Sequence, residues 1–217
     1  MAEVPQIVVS FDIGIKNLAV AVLVVPRGAA GTLDAGLPIW RILPLMDAAR
    51  KTKPKQEDMS AALFVHLDSL VDELQAAGHP IVHDVLIENQ PSRLNGAMKT
   101  VQTWIQAYFA LRKHWMSEVE RIHLVSAAQK ILGHDRAASD PGVAALTRPT
   151  TGAAYAYNKN MGVALARYYI AGDAALEADF AANGAKRDDL ADAAMQAVAW
   201  LRKQGSDVHR LVRLKGT

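Results

Sequence analysis

The chain has 217 residues, 51% of them hydrophobic, a formal net charge of +2 and a sequence pI near 8.8. That length buries one good core, so a single domain over residues 1–217 is expected, and the charge allows a nucleic-acid partner without requiring one. The absence of cysteine excludes a disulfide framework and any thiolate zinc site, while the lack of a long uncharged run predicts no signal segment and no membrane span, hence an intracellular, non-secreted protein.

The first apolar run, Ile7 to Val25, predicts two strands around a Gly14-Ile15-Lys16-Asn17 turn. Its first half is apolar enough for a central strand covered on both faces, and Asp12 interrupts it near the end. A buried aspartate needs a cation, a donor or a metal beside it, although a lone strand-end aspartate is most simply a turn residue bonded to its own backbone. A Gly- and Pro-containing connection over 26–38 leads to a third strand at Ile39–Leu45, closing an antiparallel meander. The basic loop at 50–55 reads as solvated surface able to meet phosphate. Leu63, Leu67, Leu70, Val71 and Leu74 then fall at helical spacing, predicting a helix from Met59 to Ala77 that stops at Gly78.

Ile81 to Glu88 is a second buried-type strand ending in a carboxylate, followed by a polar exit loop, Asn89 to Gly96. The long helix expected from Ala97 to Glu118 carries Trp104, Tyr108, Phe109 and Trp115, which suits core packing and a helix shared with a dimer partner. Arg121–Val125 reads as a last short strand, and Ser126 as the cap of a short helix over Ala127–Leu132. His134 to Ala154 is expected to be a long loop, mobile or in contact with substrate. Helix resumes from Tyr155 to Ala171, a small linker follows, and an amphipathic helix from Asp188 to Lys203 precedes a basic tail. The order β-β-β-α-β-α-β-α, with helices to follow, predicts an α/β, ribonuclease H-like fold. Its mixed five-stranded sheet has three antiparallel strands, then parallel ones, and is flanked by helices.

Asp12 and Glu88 thus sit near the exits of strands expected to be neighbours. On the last helix, Asp189 and Asp192 are three residues apart and Asp188 and Asp192 four, so either pair shares a face. The helix dipole favours acids in a first turn, which accounts for Asp188 and Asp189 without any function. It accounts less well for Asp192, and not at all for Asp12 or Glu88. Crowded carboxylates make sense when divalent cations hold them, and oxygen ligands without a histidine pair favour magnesium or manganese over zinc. Two such ions, roughly 3.5–4 Å apart, activate a water and stabilise the departing oxygen of a phosphodiester. The residues alone therefore point to a metal-dependent nuclease.

Ser10-Phe11-Asp12-Ile13-Gly14-Ile15-Lys16-Asn17-Leu18-Ala19, Ile87-Glu88-Asn89-Gln90 and Lys186-Arg187-Asp188-Asp189-Leu190-Ala191-Asp192-Ala193 together resemble the RuvC-like Holliday junction resolvases, most closely the poxvirus-type and mitochondrial branch. The resemblance implies a homodimeric endonuclease that resolves four-way DNA junctions by paired symmetric nicks, leaving 5′-phosphate and 3′-hydroxyl ends. It implies two Mg2+ per active site, with Mn2+ able to substitute, held by the catalytic acids Asp12, Glu88, Asp189 and Asp192. Asp188 is the competing neighbour of Asp189. The family's catalytic lysine is assigned first to Lys159, with Lys130 in reserve. Lys16, Asn17, Gln90, Arg93, Asn95 and Lys99, near the strand exits, are candidate contacts to the DNA backbone. A cytoplasmic viral replication site or an organelle as the location rests on the resemblance alone. The 134–154 loop and the region before Met59 depart from the compact family pattern.

Three alternatives stand beside this reading. One is a ribonuclease H-like nuclease of RNA or of other branched DNA. Another is a catalytically silent nucleic-acid-binding module of the same fold; retention of four acids speaks against it, because a binder gains by losing negative charge near phosphate. The Phe11-Asp12-Ile13-Gly14 run also occurs in sugar-kinase and actin-like ATPases, but no second phosphate-binding glycine loop accompanies it here.

Overall fold

A computed structural model describes residues 4–27, 32–46, 55–91, 96–148 and 154–214. The opening apolar run forms β1 (Gln6–Asp12) and β2 (Asn17–Val25), paired antiparallel from Gln6 beside Val25 to Asp12 beside Ala19. β3 (Thr32–Pro44) extends the meander. After α1 (Gln56–Ala76), β4 (Val82–Glu88) returns parallel to β1. After α2 (Gly96–Met116), β5 (Val119–Val125) lies parallel to β4. The short α3 (Pro141–Ala144) leads to α4 (Ala154–Ile170), α5 (Ala174–Ala182), α6 (Arg187–Lys203) and β6 (Asp207–Val212). The sheet order is β5-β4-β1-β2-β3-β6.

Side-chain alternation along β1 decides what each face of the sheet meets. Ile7, Val9 and Phe11 point to one side and pack with Leu63, Leu67 and Leu70 of α1 and Val101, Ile105 and Phe109 of α2. Val8 points to the other, where Leu165 and Tyr169 of α4 and Leu190, Ala193, Ala194 and Ala197 of α6 gather. β1 therefore has no solvent face, which is why it is apolar nearly throughout. Each fully buried Val, Leu or Phe contributes about 1.5–3 kcal/mol, so this strand is strongly pinned in register.

The mixed sheet is as expected, with six strands instead of five. The added strand is β6, whose residues read in sequence as a basic tail. It lies parallel to β3 with a shift of register between Leu33 and Asp34, where Val208 and Arg210 are successive partners. That bulge spaces the buried Val208 and Leu211 three residues apart, hiding the two-residue period of a strand. β3 is longer than Ile39–Leu45 because Gly36 and Pro38, read as connection, lie within it. The expected linker before α6 is the helix α5, which the Asp173 side chain caps by accepting from Leu176 N at 3.0 Å and which buries Leu176 and Phe180. The 134–154 segment is not one open loop. Its described part contains a 3-10 segment (Asp135–Ser139) and α3, capped by Asp140, and it buries Ala137 and Val143. The basic loop at 50–54 lies outside the described residues.

Asp84, only 1% exposed, points from β4 to the α6 side of the sheet and is fully surrounded by donors. Gln6 Nε2 donates at 2.8 Å, Arg121 Nε and a guanidinium NH2 at 2.8 and 2.9 Å, and His123 Nε2 stands at 2.8 Å. Burial pushes its carboxyl up, but the donors of Arg121, Gln6 and His123 together outweigh burial and hold it below the usual aspartate value. A carboxyl depressed in the folded state adds stability above its unfolded pKa and loses it as pH falls through the folded one. Asp84→Asn is expected to cost about 1–3 kcal/mol at neutral pH in urea unfolding. The difference between the two proteins should close as pH falls below the ordinary aspartate value of about 3.9. A difference that persists unchanged into acid would show that its charge is not what stabilises the fold.

Candidate active site

Phe11 and Ile87 are register partners in the parallel β1–β4 pair. One residue further along, Asp12 and Glu88 stand side by side at the strand exits, on the α6 side of the sheet. α6 is fastened over them at three points. Gln196 Nε2 donates to Ser10 Oγ at 3.0 Å and to the Phe11 carbonyl at 3.3 Å, and Trp40 Nε1 donates to the Leu190 carbonyl at 2.8 Å. The buried stripe of Ala191, Ala193, Ala194 and Ala197 lets the helix backbone approach the sheet closely. α4 comes equally near, and a Cβ on Gly162 would stand 3.0 Å from Asp192 Oδ1. A side chain at Gly162 would press on that carboxylate.

The cation at the centre of these acids is Lys130, on the 3-10 segment Ala127–Ile131 that follows β5 and is capped by Ser126. Its Nζ is 2.5 Å from Asp12 Oδ1, 3.0 Å from Asp192 Oδ2 and 3.2 Å from Glu88 Oε2, and the residue is 4% exposed. Burial alone would lower the lysine's pKa; the charges of Asp12, Asp192 and Glu88 overcome that and keep the ammonium protonated beyond the usual lysine range. Burial, then the adjacent Asp12, raises the carboxyl of Glu88 well above its ordinary value. Asp192 is raised by burial and by Asp12 against the pull of Lys130. Asp189 is raised by burial, by Asp188 and by Asp12. Asp189 has a second ammonium nearby, that of Lys186 at 3.8 Å, and its carboxyl is raised nonetheless.

Asp12, Glu88, Gln90, Lys130, Asn158, Lys159, Asp189 and Asp192 line one open cleft of about 450 Å³, with Tyr155 at its rim. The structure therefore brings the four expected acids together. Asp188 turns away from them, ion-paired to Lys159 and lining a neighbouring cleft of about 650 Å³. Burial raises its carboxyl, and the Lys159 ammonium overcomes this to hold it low. Lys159 borders both clefts, and its ammonium lies 5.2 Å from the Tyr155 ring centroid. The lysine that reaches the acids is the reserve candidate, Lys130, and not Lys159. Gln90 lines the cleft, and its backbone N–H donates to Gln102 Oε1 at 2.8 Å. Lys99 donates to the same oxygen at 3.1 Å and so braces the loop after β4. Lys16 is exposed at the β1–β2 turn, away from the cleft lining. Asn17 opens β2, its side chain outside the described set, and Arg93 and Asn95 lie outside the described residues altogether.

Sequence reasoning passed over Gln196, Asn158 and Tyr155, and ranked Lys130 second. One signal was available for Lys130: it follows the exit of β5, the third strand in a parallel run, and such exits converge on one edge of the sheet.

Among the described residues, no three acids or histidines form a ready-made metal cage. The point where the carboxylates converge is filled by the Lys130 ammonium. Its contacts still test what the cluster accepts: a buried positive charge sits within 3.2 Å of three carboxylates. The donors are all oxygens, without thiolate or imidazole, and fit hard ions such as magnesium or manganese.

Residues 8–111 match the family model described as mitochondrial resolvase Ydc2 / RNA splicing MRS1, a stretch that includes Asp12 and Glu88. The yeast mitochondrial Holliday junction resolvase Ydc2 superposes with a TM-score of 0.55 and 18% identity, over 92% of this chain and 81% of that one. The chain has the fold of the RuvC-like Holliday junction resolvases. The Fowlpox virus resolvase, solved with substrate Holliday junction DNA, gives 0.55 and 14% identity over 92% of this chain and 99% of its own. Thermus thermophilus RuvC gives 0.50 and 12% over 92% and 97%. No protein of curated function matches the chain by sequence.

Removing the central ammonium isolates the cation demand of this resolvase fold's acid cluster. Lys130→Met should destabilise the metal-free protein by about 3–5 kcal/mol at mildly alkaline pH, where the acids are charged and unpaired. Magnesium or manganese should restore most of that loss. Thermal unfolding in chelator and in metal reads both effects. A variant as stable as the parent in chelator would show that the acids do not need a cation.

Proposed function

We propose that this protein is a metal-dependent endonuclease that resolves four-way DNA junctions, working as a single RuvC-like domain in a homodimer. The observation that carries the reading is the convergence of Asp12, Glu88 and Asp192 on one buried ammonium at the exit edge of the sheet. Structural acids are ordinarily paired one to one or left in water; three carboxylates gathered in a cleft are a site for positive charge and phosphate. Asp12, Glu88, Asp189 and Asp192 would hold two divalent ions, magnesium by donor type. When bound, such ions lower the pKa of a water and offset charge on the attacking and leaving oxygens of a phosphodiester.

The chain's own residues supply the rest. Asp12 stands between Glu88 and α6, placed to face both halves of the acid set. Lys130 brings a permanent positive charge against the scissile phosphate, where it stabilises charge that grows in the transition state. Lys159, held by Asp188 at the boundary of the two clefts, and the exposed Tyr155 ring are placed to meet the DNA strand entering the site. Phosphate contacts of this kind hold the junction without reading sequence. Paired nicks need two active sites, and α2 offers a surface for a second copy. It leaves Leu111, Trp115 and Met116 on its outer side, Trp115 at 75% exposure.

A second reading has one observation behind it, because the matching family model also covers a protein described for RNA splicing. A module that only binds RNA would be weakened by four acids facing the phosphates, so cleavage remains the stronger reading. The deciding experiment is magnesium-dependent cleavage of a synthetic immobile four-way junction beside linear duplex and RNA–DNA hybrid. Symmetric nicks in the junction alone are expected, and Asp12→Asn should reduce them to background while preserving or tightening junction binding. Preferential cutting of the hybrid would move the function to RNA removal. Binding without cutting in either metal would favour the silent module.

A further inference from the structure

The turn that carries Lys130 is held from behind. His134, 7% exposed, has both ring nitrogens engaged: Nε2 lies 2.9 Å from the carbonyl oxygen of Lys130 itself, and Nδ1 lies 3.0 Å from the Tyr169 hydroxyl. A carbonyl only accepts, so Nε2 carries the hydrogen and Nδ1 accepts from Tyr169. The Tyr169 hydroxyl, fully buried in α4, accepts in turn from an Arg202 NH1 of α6 at 3.3 Å. Donation therefore runs in one direction, from Arg202 through Tyr169 and His134 to the backbone of Lys130. Gly133, at φ +75°, supplies the left-handed residue that folds His134 back onto the turn. Burial keeps the ring neutral, lowering its pKa to about 4, so Nδ1 stays an acceptor at neutral pH.

This bond matters because of what else holds Lys130. In the metal-free protein its ammonium is fixed by three carboxylates. If those carboxylates serve divalent ions, that hold is lost at the moment the ammonium is needed. A flexible four-carbon side chain is then placed only by its backbone. The His134 bond touches neither the acids nor the ammonium, and so survives the exchange.

We propose that His134, set in one tautomer by Tyr169, is a positioning residue that fixes the Lys130 backbone and so keeps the ammonium at the scissile phosphate. The proposal rests on the reading of the site as a metal-dependent junction nuclease.

The test compares single-turnover junction cleavage, junction affinity and thermal stability for the full chain and for His134→Ala, His134→Gln, Tyr169→Phe, Lys130→Met and the His134→Ala/Lys130→Met double variant. His134→Ala should slow cleavage by roughly 10–100-fold with junction affinity unchanged. His134→Gln should recover most of the rate, since its amide N–H can donate to the same carbonyl. The double variant should cut no slower than Lys130→Met alone, read as residual cleavage over long incubations, because His134 acts through Lys130. If His134→Ala cuts at the parental rate while Lys130→Met does not, the positioning role falls and the nuclease reading stands. Additive loss in the double variant also overturns it, placing the effect in the fold. If the unaltered protein cuts no junction in magnesium or manganese, the underlying reading falls and this proposal with it. Should His134→Ala fail to fold, Tyr169→Phe decides, with a smaller fall in rate and unchanged affinity expected; a parental rate overturns the proposal. Nitrogen NMR of the unaltered protein gives a readout independent of activity. A neutral Nε2–H ring at His134 is expected, and an Nδ1–H ring overturns the proposal.

Discussion

Like charges in a poorly hydrated cleft are the constraint on which the rest of this molecule depends. Two unit charges 4 Å apart interact by about 4 kcal/mol at an effective dielectric of 20, so carboxyls gathered at one point need a cation or a proton among them. The ammonium of Lys130 supplies one, within 3.2 Å of Asp12, Glu88 and Asp192. The scaffold is arranged to keep the acids together despite their repulsion. β1 is clamped between two apolar layers, and the alanine stripe of α6, with Gln196 reaching Ser10 and the Phe11 carbonyl, fixes the helix that carries Asp192. The closeness of Gly162 to Asp192 follows from the same demand, since a larger residue would open the cluster.

β4 shows how environment divides structural acids from functional ones. Asp84 and Glu88 lie four residues apart on the same strand and face the same α6 layer, the first buried and the second half-buried. Asp84 is ringed by Gln6, Arg121 and His123, and its carboxyl is held low. Glu88 meets both Lys130 and Asp12, and burial together with the Asp12 charge drives its carboxyl up. The first arrangement stabilises the fold; the second gathers acids at one point, where an added cation would gain most. Along one strand, their surroundings push the two carboxyls in opposite directions. The opposite face of the sheet shows none of this. There Ile7, Val9 and Phe11 meet the leucines of α1 in an apolar layer, whereas the α6 side combines an apolar core of its own with the acid cluster.

What the sequence revealed follows the same division. Asp12 and Glu88 were legible because each interrupts an apolar run at its end, and Asp189 with Asp192 because acids three apart share a helix face. Asp188 against Asp189 was not decidable from spacing, since each pairs geometrically with Asp192. Only the ion pair of Asp188 with Lys159, made across two helices, separates them. Lys130 was obscured because it sits in a short turn without periodicity, and its burial comes from elements distant in sequence. β6 escaped notice because its bulge breaks the alternation, and α5 because its small, alanine-rich turns carry little pattern beyond Leu176 and Phe180. Local rules reach what the chain builds locally. Contacts between α4, α6 and the turn after β5 lie beyond them.

The acids and the lysine of this site are mounted differently, and the difference has a consequence. Asp12 and Glu88 are carried by central strands and Asp192 by a helix packed directly on the sheet, so their positions are set by the core. Lys130 is carried by a 3-10 turn and reaches them through a long side chain. A divalent cation entering the cluster would therefore compete with its longest and least firmly mounted side chain, while the backbones that carry the acids stay anchored. On the proposed reading, exchange of ammonium for metal would need no rearrangement of strands or helices, only a swing of the lysine side chain about a fixed backbone point. A rigid acid set with a hinged cation could fold with part of its repulsion offset before a metal bound, and still present its ammonium to phosphate afterwards. That combination requires the turn to be held by something other than the acids, and the only atoms of Lys130 free for that purpose are those of its backbone.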